Sequence, residues 1–286
     1  MIRVGSTRLT CLLGQPVSHS ISPAMHNLSF EKLGLDYSYL AFDIAESQIE
    51  YALNALKLLN CRGFNLTMPL KQAVIPYLDE ISDAAKLSNS VNTVVIEDGL
   101  LKGFTTDGIG YMNSLRDKNI YIENKVMTLL GAGGAATSVA TQAALDGVKE
   151  IRIFKRNNAS FQKVIAFASE LTQKSNCRVS VHDMADSNAL KTSIEESAIV
   201  VNGTNVGMGD DFTSLVPKEF FRPDLIVSDL IYHPAKTRML LEAEEMGATI
   251  INGKYMLLFQ GAEAFKLWTG KDMPIDYIRE NCFKED

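Results

Sequence analysis

Short apolar runs of strand length alternate along the chain with longer stretches in which apolar residues recur at helical spacing. That alternation is the signature of α/β architecture. "TCLLG" (10–14), "SYLAFDI" (38–44) and "CRGFNLTM" (61–68) read as strands. Between the first two, "SISPAMHNLSFEKLGL" (20–35) predicts a helix capped by Ser22, with Pro23 at its first position and Gly34 as its stop. "ESQIEYALNALKLLN" (46–60) predicts an amphipathic helix with Ile49, Leu53 and Leu56 on one face. Two β-rich runs flank Asp98-Gly99, a strong hairpin signal.

After "GIGYMNSLRDKN" (108–119) the pattern changes. "KVMTLLGAGGAATSVATQAALDGVKEIRIFKR" (125–156) reads as strand, glycine turn, helix and strand. Three more β-rich runs follow: "CRVSVHD", "AIVVNGT" and "DLIVSDL". Beyond "ATIINGK" the chain turns helical from Tyr255 to Trp268, and a last short helix covers Ile275–Cys282. The expectation is an N-terminal α/β domain (1–109 plus 256–286, the last helices returning to it) and a C-terminal Rossmann-type, doubly wound domain (110–255). Neither an internal repeat nor a low-complexity linker is visible.

Composition narrows the function classes. A net charge of −6 without any basic block argues against nucleic acid or an anionic membrane surface as the main partner. No stretch approaches the ~20 apolar residues of a membrane helix, and the N-terminus lacks the apolar core of a signal peptide. The four scattered cysteines form no C-x-x-C pair and suit a reducing cytoplasm. His19, His26, His182 and His233 have no ligand spacing, so no metal site is expected.

Two groups of residues carry candidate chemistry. In "LLGAGGAA" (129–136) Gly131, Gly133 and Ala136 fit G-x-G-x-x-A directly after a strand and at the start of a helix rich in small residues. Gly131 permits the tight turn, Gly133 lets backbone approach a pyrophosphate, and Ala136 allows close helix–sheet packing. A structural turn is the bland alternative, and the context favours a dinucleotide. The second group comprises Ser20, Ser22, Thr67, Lys71, Asn92 and Asp107, all near strand exits, where open α/β sheets bind ligands. Each has an ordinary explanation of its own: a cap for Ser22, a solvated ammonium for Lys71, a turn for Asp107. Their joint placement has none.

"GQPVSHSISPAMHN", "GFNLTMPLK", "VNTVV", "TTDGIGY", "LLGAGGAATS", "NGTNVGM" and "MLLFQGAEAFKLWTG" together resemble the shikimate dehydrogenase family, in its order and spacing over nearly the whole chain. The closing "LFQGAEAFKLWTGKDMPIDYI" and "AALDGVKEIRIFKR" look more like its quinate/shikimate subgroup. The resemblance implies a reversible NADP- or NAD-dependent reduction of 3-dehydroshikimate to shikimate, a step of aromatic amino acid biosynthesis. It implies Lys71 and Asp107 as the catalytic pair, with Ser20, Ser22, Thr67, Asn92, Tyr232 and Gln260 around the substrate. It implies a cofactor site of Asp83, Gly131, Ala132, Gly133, Gly134, Ala135, Lys155, Arg156, Asn157, Asn158, Asn205, Leu230 and Gly253. Asn89-Ser90 and Thr105 depart from the family's usual residues beside the site and bear on substrate preference. Quinate as the preferred substrate, or a non-catalytic dinucleotide-binding redox sensor, are the competing readings. A homodimer is a candidate assembly.

An NAD-specific site of the common kind places an acid at the end of the second strand. Here "IFKRNNASFQK" offers Lys155 and Arg156 instead, which favours a 2′-phosphate. NADP-specific relatives carry a second basic residue where this chain has Ser160, and relatives that accept NAD often carry an acid at Asn158. The expectation is that both cofactors work and NADP is modestly preferred.

Overall fold

The computed structural model describes residues 4–283. It divides into two compact units, one running to Gly110 and resuming at Leu258, the other Tyr111–Leu257. Each is built on a six-stranded sheet.

In the first unit β1 (Arg8–Gly14), α1 (Ser22–Lys32), β2 (Tyr37–Asp43), α2 (Ile49–Leu58) and β3 (Gly63–Leu66) make a parallel arrangement with β1 in the middle. After α3 (Leu70–Ala73), β4 (Glu80–Ile81) and α4 (Asp83–Ser88), the hairpin of β5 (Thr93–Glu97) and β6 (Leu100–Phe104) joins antiparallel to β3. The resulting order is β2-β1-β3-β5-β6-β4. Asp98 and Gly99 take φ of 52° and 78°, the left-handed pair a two-residue hairpin turn requires.

The stripe on α2 lies as the spacing predicts: Ile49, Leu53 and Leu56 are buried against the sheet, each contributing about 1.5–3 kcal/mol of apolar burial. Helix α1 starts differently. Ile21 holds the N-cap position without a side-chain bond, Ser22 is already helical and Pro23 comes second. Ser22 does not cap because it is already the first helical residue, and its N–H is satisfied by the Ser20 hydroxyl at 3.2 Å, two residues upstream. Gly34 follows the end of the helix at φ 66°.

The second unit begins within α5 (Asp107–Asp117). It continues through β7 (Val126–Leu130), α6 (Gly134–Leu145), β8 (Glu150–Lys155), α7 (Phe161–Lys174), β9 (Arg178–Asp183) and α8 (Ser187–Glu196). β10 (Ile199–Asn202), β11 (Ile226–Asp229), α9 (Arg238–Glu245) and β12 (Thr249–Ile251) complete it. Its sheet is wholly parallel, ordered β12-β11-β10-β7-β8-β9, so the chain winds outward in both directions from β7. The topological switch point therefore lies between β7 and β10. Ala136, Val139 and Ala140 of α6 pack with Leu129, Ile151 and Val201 of the strands, small residues letting the helix lie close to the sheet.

The chain re-enters the first unit along α10 (Lys254–Thr269) and ends with α11 (Ile275–Cys282). Trp268 fastens α10 there: it is fully buried and donates its indole N–H to Val94 O at 3.0 Å. A Cβ on Gly63 would lie 2.3 Å from that indole nitrogen, so this strand position has room only for glycine.

Candidate active site

Strand β3 delivers its exit to one place through backbone bonds. Thr67 N–H donates to Leu13 O at 2.9 Å, and Leu70 N–H to Thr67 O at 2.8 Å, which turns the chain into the single helical turn of α3. Lys71 is the second residue of that turn, and its carbonyl accepts the Val91 N–H at 2.9 Å. Asp107 opens α5, where the positive end of the helix favours a carboxylate. Lys71 Nζ meets Asp107 Oδ2 at 2.5 Å, with side-chain exposures of 19% and 7%. An exposed ion pair is close to energetically neutral, whereas this one is largely withdrawn from water, so removing either partner leaves a poorly solvated charge.

Asn92 fixes the other carboxylate oxygen. It lies just before β5, with its N–H bonded to Phe104 O and its carbonyl accepting from Leu66 N–H. Its amide nitrogen donates to Asp107 Oδ1 at 2.8 Å, and also reaches Thr106 Oγ1 (2.9 Å) and Gln260 Oε1 (3.3 Å). Gln260 arrives because α10 crosses α5 at Gly110, where a Cβ would stand 2.5 Å from Gln260 N. Sequence-expected Lys71, Asp107, Asn92 and Gln260 thus form one connected cluster.

Ser22 is buried, and Ser20 is half-buried with its hydroxyl accepting the Ser22 N–H. Thr67 is half-buried, its methyl where a Cβ on Gly14 would stand. Asp83 is not drawn into the cluster: it begins α4 behind the Ser82 cap, its side chain 99% exposed and 3.9 Å from Lys86. In the second unit Tyr232 is partly exposed at 39%, with burial raising its phenol pKa.

The residues of the glycine turn suit a dinucleotide pyrophosphate. Gly131 has φ 97°, reserved for glycine, and a Cβ there would press on Thr204. Gly133 heads α6 with open space where a Cβ would be, so its backbone and those of Gly134 and Ala135 can meet an anion at the helix N-terminus. Ala132 and Ala135 are half-buried against the core. Asn205 lies in the loop after β10, held by Asn202, which accepts from Thr204 N–H at 3.0 Å and donates to Val206 O at 3.0 Å. Leu230 and Gly253 abut, a Cβ on Gly253 falling 2.1 Å from Leu230 O. Asp229, completely buried, ties these ends together by accepting from Asn202, Ile231 N–H and Thr237, while burial raises its pKa.

At the end of β8 the two adjacent cations diverge. Lys155 turns back: its ammonium donates to Arg156 O (3.0 Å), Asn158 Oδ1 (2.9 Å) and Ser160 Oγ (3.2 Å) and lies over Phe161. Burial and the neighbouring Arg156 charge lower its pKa. Lys155 organises the loop, and Arg156 is the exposed cation of the pair, with Asn157 and Asn158 exposed beside it.

Sequence reasoning missed the polar residues behind the cluster. Thr106, Thr93, Asn65 and Tyr39 are buried and hydrogen-bonded to one another. Thr106 lies inside the quoted "TTDGIGY", and that adjacency is the one signal that could have found it. His26 is also fully buried, stacked on Tyr39 at 4.4 Å, with its pKa lowered to about 3 by burial. Among the described residues no group of three or more His, Cys, Asp or Glu is placed to hold a metal, and no helix is long and apolar enough to cross a membrane.

The chain matches the family descriptions "Shikimate dehydrogenase substrate binding domain" over residues 12–94 and "Shikimate 5'-dehydrogenase C-terminal domain" over residues 255–281. It is 46% identical over 286 residues to the shikimate dehydrogenase (NADP(+)) of Streptococcus uberis, covering 98% of this chain and 97% of that protein. The crystal structure of shikimate 5-dehydrogenase from Listeria monocytogenes, in complex with shikimate and NAD, superimposes with a TM-score of 0.93 at 46% identity, covering 98% and 97% of the two chains. That of the Thermus thermophilus enzyme, in complex with NADP(H) and shikimate, gives 0.85 at 34% identity, covering 96% and 98%. Identity of this level from end to end, on a chain that pairs its lysine and aspartate at the strand exit, places the protein in the shikimate dehydrogenase family.

Proposed function

We propose that this protein reversibly reduces 3-dehydroshikimate to shikimate in aromatic amino acid biosynthesis, preferring NADP modestly and accepting NAD. The observation that carries the reading is the largely buried Lys71–Asp107 pair braced by Asn92. The first unit, with the C-terminal helices, takes the ring acid, and the Rossmann-type unit takes the dinucleotide.

The bound nicotinamide supplies or accepts the hydride. In the reducing direction the Lys71 ammonium gives its proton to the oxygen that becomes the hydroxyl, and in the oxidising direction the neutral amine takes it back. Asp107 holds the ammonium in place and, with Asn92, orients a neighbouring ring hydroxyl. Ser20, Ser22 and Thr67 donate to the substrate carboxylate without adding positive charge, and Tyr232 and Gln260 complete the substrate contacts. At the cofactor, the amides of the glycine turn at residues 131–135 hold the pyrophosphate, Arg156 meets the 2′-phosphate, and Asn157 and Asn158 line that end. Asn205, Leu230 and Gly253 would hold the nicotinamide side of the cofactor, and Asp83 is assigned to the same cofactor. The cytoplasm is the fitting compartment for a chain whose cysteines are all free among the described residues.

The test is spectrophotometric: purified protein given shikimate should reduce NADP, and NAD more weakly. Faster turnover of quinate than of shikimate would replace the substrate. No turnover of either would favour the redox-sensor reading.

A further inference from the structure

Behind the Lys71–Asp107 pair runs a buried chain of hydrogen bonds whose two amides are oriented by backbone groups. Asn92 Oδ1 accepts the Thr106 backbone N–H at 2.7 Å, so its amide nitrogen must point toward Asp107. Asn65 is fixed in the same way. Its Nδ2 donates to Asn92 O at 3.2 Å and to Thr93 Oγ1 at 3.0 Å, and its Oδ1 accepts the Tyr39 hydroxyl at 2.8 Å.

The two threonine hydroxyls close the gap between these amides. Thr93 Oγ1 accepts from Asn65, and Thr106 Oγ1 accepts from Asn92. Each then has one proton left to give. The acceptors in reach are Asn92 Oδ1, at 3.3 Å from Thr93 and 3.2 Å from Thr106, and the other hydroxyl at 3.2 Å. The hydrogen bonds therefore run unbroken from Tyr39 through Asn65 and Thr93 to Thr106 and Asn92, and the Asn92 amide donates in turn to the Asp107 carboxylate.

We propose that Thr106 is a positioning residue: with its backbone N–H and hydroxyl it locks the Asn92 carboxamide so that Asp107 stays aligned on Lys71, and Thr93 and Asn65 support it from behind. The proposal rests on the dehydrogenase reading above. Thr106 itself acts through Asn92, and its contribution belongs to alignment of the proton-transfer pair. Burial matters here, because an amide in a dry site cannot take a replacement partner from water when a hydroxyl is removed.

The experiment compares wild type, Thr106→Val and Thr106→Ser by steady-state kinetics with shikimate and NADP. Val keeps the shape and removes the hydroxyl; Ser restores it. Thr106→Val should lower kcat by roughly 5–50-fold, the range for a buried hydrogen-bond partner lost. KM for shikimate should move less than about threefold, and Thr106→Ser should recover most of kcat. A purely structural role would lower the melting temperature of Thr106→Val and leave kcat of the folded enzyme alone. That result, or a serine variant as impaired as the valine one, overturns the proposal. If Thr106→Val does not fold, Thr93→Val takes its place: a fall in kcat with KM held supports the chain, and an unchanged kcat overturns it. Wild type without turnover refutes the functional reading and the proposal with it, whereas an active wild type with an unaffected variant refutes the proposal alone.

Discussion

Asp107→Asn is the sharpest perturbation of this site, because it changes neither shape nor size. The carboxylate accepts at both oxygens, from Lys71 Nζ at 2.5 Å and from Asn92 Nδ2 at 2.8 Å. A carboxamide has one acceptor end and one donor end. Whichever way it is turned, its NH₂ group faces either the ammonium or the Asn92 amide, and Asn92 cannot flip in response because its Oδ1 is held by Thr106 N–H at 2.7 Å. One charge-assisted bond is lost, worth about 1.5–3 kcal/mol, and a donor faces a donor in a site where the aspartate is 5% exposed. Lys71 also keeps its charge without its counter-ion. The loss falls on the step that moves the proton, so kcat should drop by ~10²–10⁴-fold, while dinucleotide binding, proposed for the other unit, should stay within a few-fold. The assay is kcat and KM for shikimate with NADP, with dinucleotide affinity measured separately by fluorescence titration. Lys71→Ala should fall by a similar factor, and the double variant should be no worse than either single one if the pair works as a unit. A kcat for Asp107→Asn within about threefold of wild type at saturating substrate would refute the reasoning.

Three further outcomes follow from the same contacts. Ser22→Ala should raise KM for carboxylate substrates by roughly 10–150-fold, the equivalent of one hydrogen bond to a charged group; because Ser22 makes no cap bond, its melting temperature should hardly change, and the reverse pattern would revive the cap reading. Arg156→Ala should weaken NADP more than NAD by roughly 10–150-fold, with rising salt eroding the wild-type preference; tighter binding of NAD than NADP by the wild type at low salt would contradict it. His26, held neutral by burial with its pKa lowered from 6.5 to about 3, contributes stability that is complete above pH 6.5 and is lost as pH falls from there toward 3. At about 1.4 kcal/mol per pH unit that loss has an upper bound of about 5 kcal/mol, and urea denaturation of His26→Phe across that range should show a flatter acid limb than wild type.

Local signals carried most of the architecture. Asp98-Gly99 announced the hairpin because only residues tolerant of left-handed φ make that turn, and the spacing of Ile49, Leu53 and Leu56 announced the buried face of α2 because a helix repeats near every fourth residue. Gly131 was legible for the same reason: it needs φ 97°, a property of the residue itself. Lys71 and Asp107 could be named from sequence, but nothing in the order of residues put them 2.5 Å apart; that required β3 and the start of α5 to exit together. Tertiary structure also decided what local rules misjudged. Ser22 looked like a cap, yet Ile21 holds that position, and the Lys155 ammonium, next to Arg156 in sequence, donates within its own loop. The chain of Tyr39, Asn65, Thr93 and Thr106 was invisible, since its members come from four separate segments and each resembles an ordinary polar residue of a strand. Period and turn chemistry are properties of neighbours along the backbone and can be read from sequence, whereas the partner of a buried hydrogen-bonding group is chosen by the sheet that brings distant segments within 3 Å of each other.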